Sequence, residues 1–528
     1  MKLQEEFDEP LAEMLLSPKC DMFKGTDGDC YITVDSPHGK VTLPLDSEGG
    51  GAVITGMFHE QEKHILTVSE KERGERLAYA KIYWKPQRPV FLRVGRDETY
   101  YYLDLQTQPK VYVRFNADGW QLVDSVPVAF REGQGQLPMP IPLKSDTFAE
   151  KGFDLLRYKL LRVSDAQWRV LLPLLVSYLL PDIQRPLLLL TGEQNSGKST
   201  FLEIVKTLID PNIATIGGDV PDERNLFIKV NSTWLPTFDN LSRLDDRQQD
   251  ALCRIVTGGT YEVRRLYTDK GMVTITCKNP LILSGITNVA NRGDLASRAV
   301  LFHLESIDRA ANLISSEALT ARLKEASPLI LSNLLNLTCK VLKEWKSISA
   351  PARVRPASYG TIGLAVEQAY GWHPGSFEAS YHLTRQSLEE DVVENKPVIQ
   401  ALLQYLEPYK AAGEHEINPG ELLGKLQLMS DESLTRSNMW PKTPATFAKD
   451  LARCAPALRK QYGWDAEMVR DMHKRSWKFT YREPVVTETK REVPAAIKLA
   501  AQKLAPPRES LGKTVRRIAA AKKKGGKK

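Results

Sequence analysis

The sequence predicts an α/β fold built on a parallel sheet, with a small β-rich region before it and a unit of helices and a hairpin after it. Three observations predict this. The stretch "GEQNSGKS" (Gly192 to Ser199) lies between the apolar run "RPLLLL" and the helix-periodic "FLEIVKTLID", which is the strand, loop and helix setting of a phosphate-binding loop. Strands and helices then alternate to about Leu304, as in a parallel sheet. Short β-rich runs fill Pro89 to Phe130, and "GWDAEMV" and "KRSWKFTY" form two more near the C-terminal end.

At 528 residues, with 42% hydrophobic and 26% charged residues, the chain is an ordinary globular composition spread over several cores. Residues 1–140 read as an N-terminal α+β domain, in which "GTDGDC" and "SEGGGAV" are turn-like and "EKERGERLAYAKIYW" is helical. The Pro-rich "GQGQLPMPIPLKSD" (Gly133 to Asp146) reads as a linker and domain boundary. A helical collar at 146–180 follows. Its apolar stretch "WRVLLPLLVSYLLP" is too short to span a bilayer and is interrupted by Pro173, so it reads as a buried helix. The nucleotide-binding core takes 181–310, a helical lid 311–375 and a winged-helix-like domain 376–482. The remainder, 483–528, is a tail with 13 Lys/Arg against 4 Asp/Glu, a balance of +9 within a whole-chain charge of +7. Such a tail is expected to be disordered and to attract phosphate backbones without sequence choice; a solubilising tail is the alternative. The six cysteines lie far apart, with neither metal-site spacing nor a disulfide framework, and read as reduced core residues. "MKLQEEFDEP" has no secretory pattern, so the cytoplasm is the expected location.

The loop matches G-x-x-x-x-G-K-[ST] at every specified position, which makes the core a P-loop NTPase with ATP and Mg²⁺ as expected cofactors. Gly192, Glu193, Gln194, Asn195, Ser196, Gly197, Lys198, Ser199 and Thr200 surround the phosphates. Lys198 supplies a cation to the β- and γ-phosphates, and Ser199 is a metal ligand. In "STWLPTFDN", Asp239 ends an apolar strand and is the second metal-side ligand. Asn240 follows it; an amide orients water but accepts no proton, so hydrolysis is either slow or assisted by Glu193, Asp245 or Asp246. "PLILSGITN" ends a buried strand in Ser284 and Asn288, which suit γ-phosphate sensing. "NRGDLASRAVLFHL" places Arg292 and Arg298 before another strand, and Arg298 is the choice for a finger reaching a neighbouring subunit's nucleotide. A salt bridge from Arg298 to Asp294 is the alternative.

These blocks, with "FDNLSRL", "DALCRIVTGG", "VRRLYTD", "PLILSGI" and "GDLASRA", resemble the superfamily 3 helicase and phage-type primase–helicase class of AAA+-like ATPases. More narrowly, they look like a family of bacterial ATP-binding proteins carried by phages and other mobile elements, over roughly Arg76 to Leu304. The chain departs from the pattern at Ser284, where the family commonly has asparagine. The resemblance implies a homo-oligomeric ring, a hexamer, closing ATP sites between subunits. "YEVRRLYTDKGMVTITCKNP" has two β-rich runs flanking a basic turn. By the resemblance this hairpin enters the ring's pore, where Lys270 contacts single-stranded DNA and Arg264, Arg265 and Lys278 support it. A surface hairpin with a routine lysine is the alternative.

A second DNA-facing candidate is "WPKTPATFAKDLARCAPALRKQYGW". Phe447, Leu451, Ala455 and Leu458 recur on one helical face, Lys449, Arg453 and Lys460 line the other, and Pro456 is expected to kink or end the helix. Helix, helix, strand, strand is the order of a winged helix contacting duplex DNA. The expected function is an ATP-dependent DNA helicase or translocase of a phage, plasmid or other mobile element. The leading alternative is an ATP-switched replication initiator or loader, with a small-molecule kinase third.

Overall fold

The computed structural model describes residues 10–143, 151–214, 216–264, 272–286, 288–290, 293–305, 315–351, 353–394, 396–436, 440–471 and 474–483. The chain divides into two units, Met1–Lys396 and Pro397–Lys528. In the first, helix α1 (Pro10–Leu15) and the antiparallel strands β1 (Cys20–Lys24), β2 (Cys30–Ser36) and β3 (Gly39–Pro44) pack with α2 (Glu48–Glu62) and α3 (Val68–Ile82) around Leu11, Ile32, Ile54, Phe58 and Ile82. The turn-like "SEGGGAV" proves to be a helix start. The Ser47 hydroxyl accepts the Gly50 N–H at 3.0 Å, a cap that offsets the poor helix propensity of the glycines behind it.

Strands β4 (Val90–Phe91), β5 (Val94–Arg96), β6 (Tyr101–Asp104), β7 (Tyr112–Asn116), β8 (Gly119–Val123) and β9 (Ala129–Phe130) follow, with β5 to β8 as one meander and β4 paired to β9. The Pro-rich stretch after them is not a free linker. Met139 is buried, Leu137 donates its N–H to the Pro211 carbonyl at 2.9 Å, and Gln136 bridges Asn212. Prolines remove donors, and the backbone groups between them hold this extended segment to the body.

Helix α4 (Lys151–Asp154) continues into a π-helical turn, Leu155–Leu161, and α5 (Asp165–Tyr178) starts at a reciprocal cap between Ser164 and Gln167. Pro173 lies inside α5 without ending it, because the helix is buried from Val170 to Tyr178. The central sheet then forms from β10 (Leu187–Thr191), β11, β14 and β15, separated by α6 (Lys198–Ile209) and α7 (Glu223–Ser232) before β11 (Thr237–Leu241). Helix α8 (Asp246–Thr257), the hairpin β12 (Thr260–Arg264) and β13 (Met272–Thr276), then β14 (Ile282–Gly285), α9 (Gly293–Ser297) and β15 (Ala299–His303) complete it. The order is β11-β14-β10-β15, all parallel, so β14 is inserted between the strand that feeds the glycine loop and the strand that carries Asp239. Four consecutive leucines, Leu187 to Leu190, are buried on both faces, as an interior parallel strand requires.

Helices α10 (Ser316–Glu344), α11 (Ala357–Tyr370) and α12 (Ser376–Glu394) all belong to the first unit, whose boundary falls after Lys396 rather than at 376. They join α5 in the largest core, through Leu331, Leu335, Tyr359, Phe377 and Tyr381, and the Tyr359 hydroxyl donates to the Val170 carbonyl at 2.8 Å. All six cysteines are free, five of them buried. Burial pushes the Cys253, Cys277 and Cys339 thiols up to about 12, which makes them inert. Among the described residues no helix is long and apolar enough to cross a membrane.

The second unit contains α13 (Pro397–Leu406), β16 (Glu414–Ile417), α14 (Pro419–Met429), α15 (Glu432–Arg436), α16 (Pro444–Tyr462), β17 (Trp464–Asp471) and β18 (Lys474–Tyr481). Its sheet order is β16-β18-β17, antiparallel throughout. The buried face of α16 is Phe447, Leu451, Cys454 and Leu458, with Cys454 in the place expected for the half-buried Ala455. Pro456 does not stop α16, which runs on to Tyr462. Burial of residues on either side of it outweighs one lost backbone bond.

Within the first unit, three charges are removed from water together. Arg93 donates to Asp210 at 3.1 Å, Lys206 donates to the other carboxylate oxygen at 2.8 Å, and Arg93 and Asp210 are 0% exposed. Leu235 N–H also donates to Asp210 at 3.0 Å. Burial alone raises the Asp210 carboxyl, but Lys206 and Arg93 outweigh it and hold it below the usual aspartate range. Removing one member leaves an uncompensated buried charge, so Asp210→Ala is expected to cost about 3–5 kcal/mol in denaturant unfolding. Because the folded-state pKa is depressed, this stabilisation is fully present above about pH 4 and is lost as pH falls through the folded value. A wild-type stability profile that fell on acidification while the variant's stayed flat there would bear this out.

Candidate functional site

The parallel strands deliver their carboxyl ends to one edge of the sheet, and the glycine loop lies there between β10 and α6. Gly192 has φ +149, and a Cβ on it would lie 2.4 Å from the Leu304 carbonyl oxygen. Only glycine fits. Gly197 (φ +86) begins α6 without a side-chain cap, whereas Ser47, Thr67, Ser164, Asp222, Asp245 and Ser315 cap other helices with their side chains. The first N–H groups of α6 are thereby left to bind an anion. Lys198 folds back over the loop, donating to the carbonyls of Gly192 at 2.8 Å and Glu193 at 2.7 Å. Burial pushes its ammonium down, with Asp239 acting against that.

Asp239 is 5% exposed and receives two hydroxyls: Ser199 donates to Oδ2 at 2.5 Å and Ser284 donates to Oδ1. The register between β11 and β14 shifts after Phe238, and Asn240 takes the left-handed conformation at φ +57. This bulge, the kind that re-aims side chains beside functional sites, turns Asp239 inward and leaves Asn240 exposed. The strand therefore runs past Asp239 to Leu241. A cavity of about 1240 Å³ opens at this edge, lined by Gln194 to Phe201, Asn240, Ile286 and His303, and also by Tyr158, Ser164 and Leu319.

The structure brings Gly192 to Thr200, Asp239 and Asn240 together. Ser284, one residue expected to sense a phosphate, is wholly buried and donates its hydroxyl to Asp239. Asn288, the other expected sensor, is buried, and its Oδ1 accepts from the Ala290 N–H at 2.9 Å. Glu193 is exposed in the loop, and Asp245 is occupied as the cap of α8 by the Gln248 N–H. Arg298 lies at the opposite edge of the sheet, where its carbonyl accepts from Leu187 N–H, and its guanidinium pairs with Asp294 at 2.9 Å. Arg292 lies outside the described residues.

Residues 154–390 match the family described as actinomycete integrative conjugative element replication protein, and residues 398–495 match the AICE RepA C-terminal domain. The chain is similar to a mobile-element replication protein. No curated protein matches it. Among solved structures, it is similar to the A-form apo structure of the NrS-1 C-terminal region, at 11% identity and TM-score 0.41, covering 90% of this chain and 100% of that one. A second, the apo structure of the NrS-1 C-terminal region (305–718), gives 11% identity and TM-score 0.39 over the same shares of the two chains.

On the hairpin, β12 and β13 pair in register from Thr260↔Thr276 to Arg264↔Met272. Arg265 and Lys270 lie outside the described residues, as does the side chain of Arg264. Lys278 is exposed at the hairpin's base, its stem running beside Gly258 and its carbonyl accepting from Arg185 at 3.0 Å. On α16, Lys449 is exposed, and the side chains of Arg453 and Lys460 lie outside the described set. Sequence reasoning missed His303, which faces Thr191 across the sheet edge at 3.4 Å and lines the cavity. The available signal was a polar residue closing "AVLFH" where a parallel strand delivers its carboxyl end. Replacing Gly192 by alanine is expected to destabilise the first unit by about 1–3 kcal/mol in thermal unfolding, because both the left-handed conformation and the Leu304 contact penalise a methyl group.

Proposed function

We infer that the chain is an ATP-hydrolysing replication protein that acts on DNA, working as a translocase or helicase ring. One observation carries the reading: at the carboxyl edge of a parallel sheet, an uncapped helix start, a lysine folded on the loop and a Ser199–Asp239 oxygen pair converge on one cavity. The helix start and Lys198 suit the phosphates of ATP. Among the described residues no cluster of three or more His, Cys, Asp or Glu side chains is present. Magnesium needs none, since it takes most of its ligands from phosphate and water, and Ser199 with Asp239 supplies the hard oxygens it requires. When bound, the ion neutralises charge on the transferred phosphoryl group.

Arg298 is the residue proposed to act across the assembly. It stands about 17 Å along the sheet from Thr191, at the edge remote from its own loop and paired with Asp294, and as a finger it would serve a neighbouring copy's nucleotide. A hexameric ring would place it so, and would line a pore with the β12–β13 hairpin. The second unit orders a helix, a strand, three helices and a hairpin, which suits a winged helix with α16 and its Lys449 as the duplex-facing element and β17–β18 as the wing. The match to mobile-element replication proteins supports DNA as the substrate.

One feature favours the second reading, an ATP-switched initiator or loader. Asn240 lines the cavity where a carboxylate would accept a proton from water. Asn240→Asp keeps the left-handed backbone, which both residues tolerate, and is expected to raise ATP turnover at least about ten-fold in a phosphate-release assay. A forked-DNA unwinding assay tests the main reading. Lys198→Ala is expected to lower ATP turnover at least about a hundred-fold, and Lys270→Ala to leave turnover intact while abolishing strand separation. ATP-dependent DNA binding without any unwinding by the wild type would select the switch.

A further inference from the structure

The part of the chain before residue 154 lies outside both family matches, and its surface has one feature the ATP reading does not use. At the end of α3, "YAKIYWKPQR" leaves Trp84 88% exposed and Tyr83 45% exposed. A bare indole is informative where a bare leucine is not, because tryptophan is normally covered over most of its surface. These rings are also ordered against each other. Tyr79 and Tyr83 meet edge to face at 5.6 Å, and Tyr83 and Trp84 at 4.9 Å. The backbone that carries them is fastened to β1: Arg88 N–H donates to the Lys24 carbonyl at 3.0 Å, Thr26 N–H to the Arg88 carbonyl at 3.1 Å, and Lys85 N–H to the Ile82 carbonyl at 2.9 Å.

The charge of the segment that carries the rings has one sign. From Leu77 to Arg96 the chain has no carboxylate and five Lys/Arg. Arg93 is buried on Asp210 and Arg96 pairs with Asp182, while Lys81 and Lys85 are exposed and flank the rings in sequence. Lys24 holds its ammonium 5.0 Å from the Tyr83 centroid. The nearby Asp21 is neutralised by a two-pronged bond from Arg88 at 2.7 and 2.8 Å, and Asp27 is bound by the Tyr31 hydroxyl.

We propose that Tyr83 and Trp84, framed by Lys24, Lys81 and Lys85, form a stacking platform for single-stranded nucleic acid on the N-terminal module. Flat rings accept any base by its face, and ammonium groups on flexible stems accept the phosphates between bases, so the site grips a strand without reading its sequence. A protein partner would need acidic groups opposite the lysines and an apolar face broader than two rings. The site stands apart from the glycine loop and does not depend on nucleotide chemistry.

The test uses the full chain and a thymidine oligonucleotide carrying iododeoxyuridine, cross-linked by ultraviolet light and mapped by mass spectrometry. The cross-linked peptide is expected to contain Tyr83 and Trp84, in the wild type and in Lys198→Ala alike, which separates this site from the ATP reading. Trp84→Ala is expected to remove that cross-link and weaken single-strand binding about ten-fold, while Trp84→Phe retains most of it. The double change Lys81→Gln, Lys85→Gln is expected to lower the salt dependence of binding by a slope of about 1.4. Cross-links confined to other segments, or a Trp84→Ala protein that binds the strand as the wild type does, overturn the proposal. An unchanged melting temperature checks that the exposed substitution leaves the fold intact.

Discussion

The Asp210 carboxylate ties together three parts of the chain that are far apart in sequence or in different elements. Its oxygens take Lys206 from the last turn of α6, Arg93 from the β-rich meander and the N–H of Leu235 at the approach to β11. Helix α6 begins at Lys198, and β11 carries Asp239, so the bond at the far end of the helix fixes the separation between the loop and the carboxylate. The Arg93 guanidinium spends its remaining donors on the Asp104, Leu137 and Pro211 carbonyls. Three buried charges with their hydrogen bonds filled impose one geometry where an apolar contact would tolerate several. The Pro-rich segment is held against the body by the same guanidinium.

From that fixed frame the site follows by topology. Parallel strands gather their polar termini at one edge, and the insertion of β14 between β10 and β11 brings Ser284 beside Asp239. Two hydroxyls and a backbone N–H, that of Asn240 at 2.8 Å, hold the carboxylate in a single orientation. Lys198 meanwhile satisfies itself on the Gly192 and Glu193 carbonyls, so its charge is already met by oxygens. This keeps a buried ammonium tolerable without a ligand.

The glycine loop was legible because its residues answer to geometry within ten positions: a positive φ, a helix start without a cap, a strand of four leucines. The β-rich meander and the hairpin β12–β13 were legible for the same local reason. Other features depend on distant neighbours. Strand β16, "EHEI", buries only Ile417 and has no alternation to announce it; its reason to be a strand is the edge of β18. Helices α10 to α12 carry an apolar face whether they form a lid or a core, and only the burial of α5 on all sides decides for the core. Ser284 was legible as a polar strand end, but its partner sits on a strand 45 residues away in sequence, and nothing local signals the bulge at Asn240 that aims Asp239 at it.

The hairpin's connection to the site is covalent as well as spatial. Strand β13 passes through Lys278 and Asn279 into β14, so the base of the hairpin and Ser284 belong to one continuous stretch. That stretch is anchored midway: the Asn279 amide donates to the carbonyls of Val230, Thr233 and Trp234 at 3.0, 2.8 and 3.2 Å, and Arg185 holds the Lys278 carbonyl. Thr233 and Trp234 lead directly into β11. A displacement of Asp239 along β11 therefore acts on the hairpin base by two routes, through Ser284 on the neighbouring strand and through Asn279 on the segment before β11. In the proposed cycle, nucleotide chemistry needs no separate lever to reach DNA, because the strand that positions the acid and the strand that carries the hairpin share these anchors.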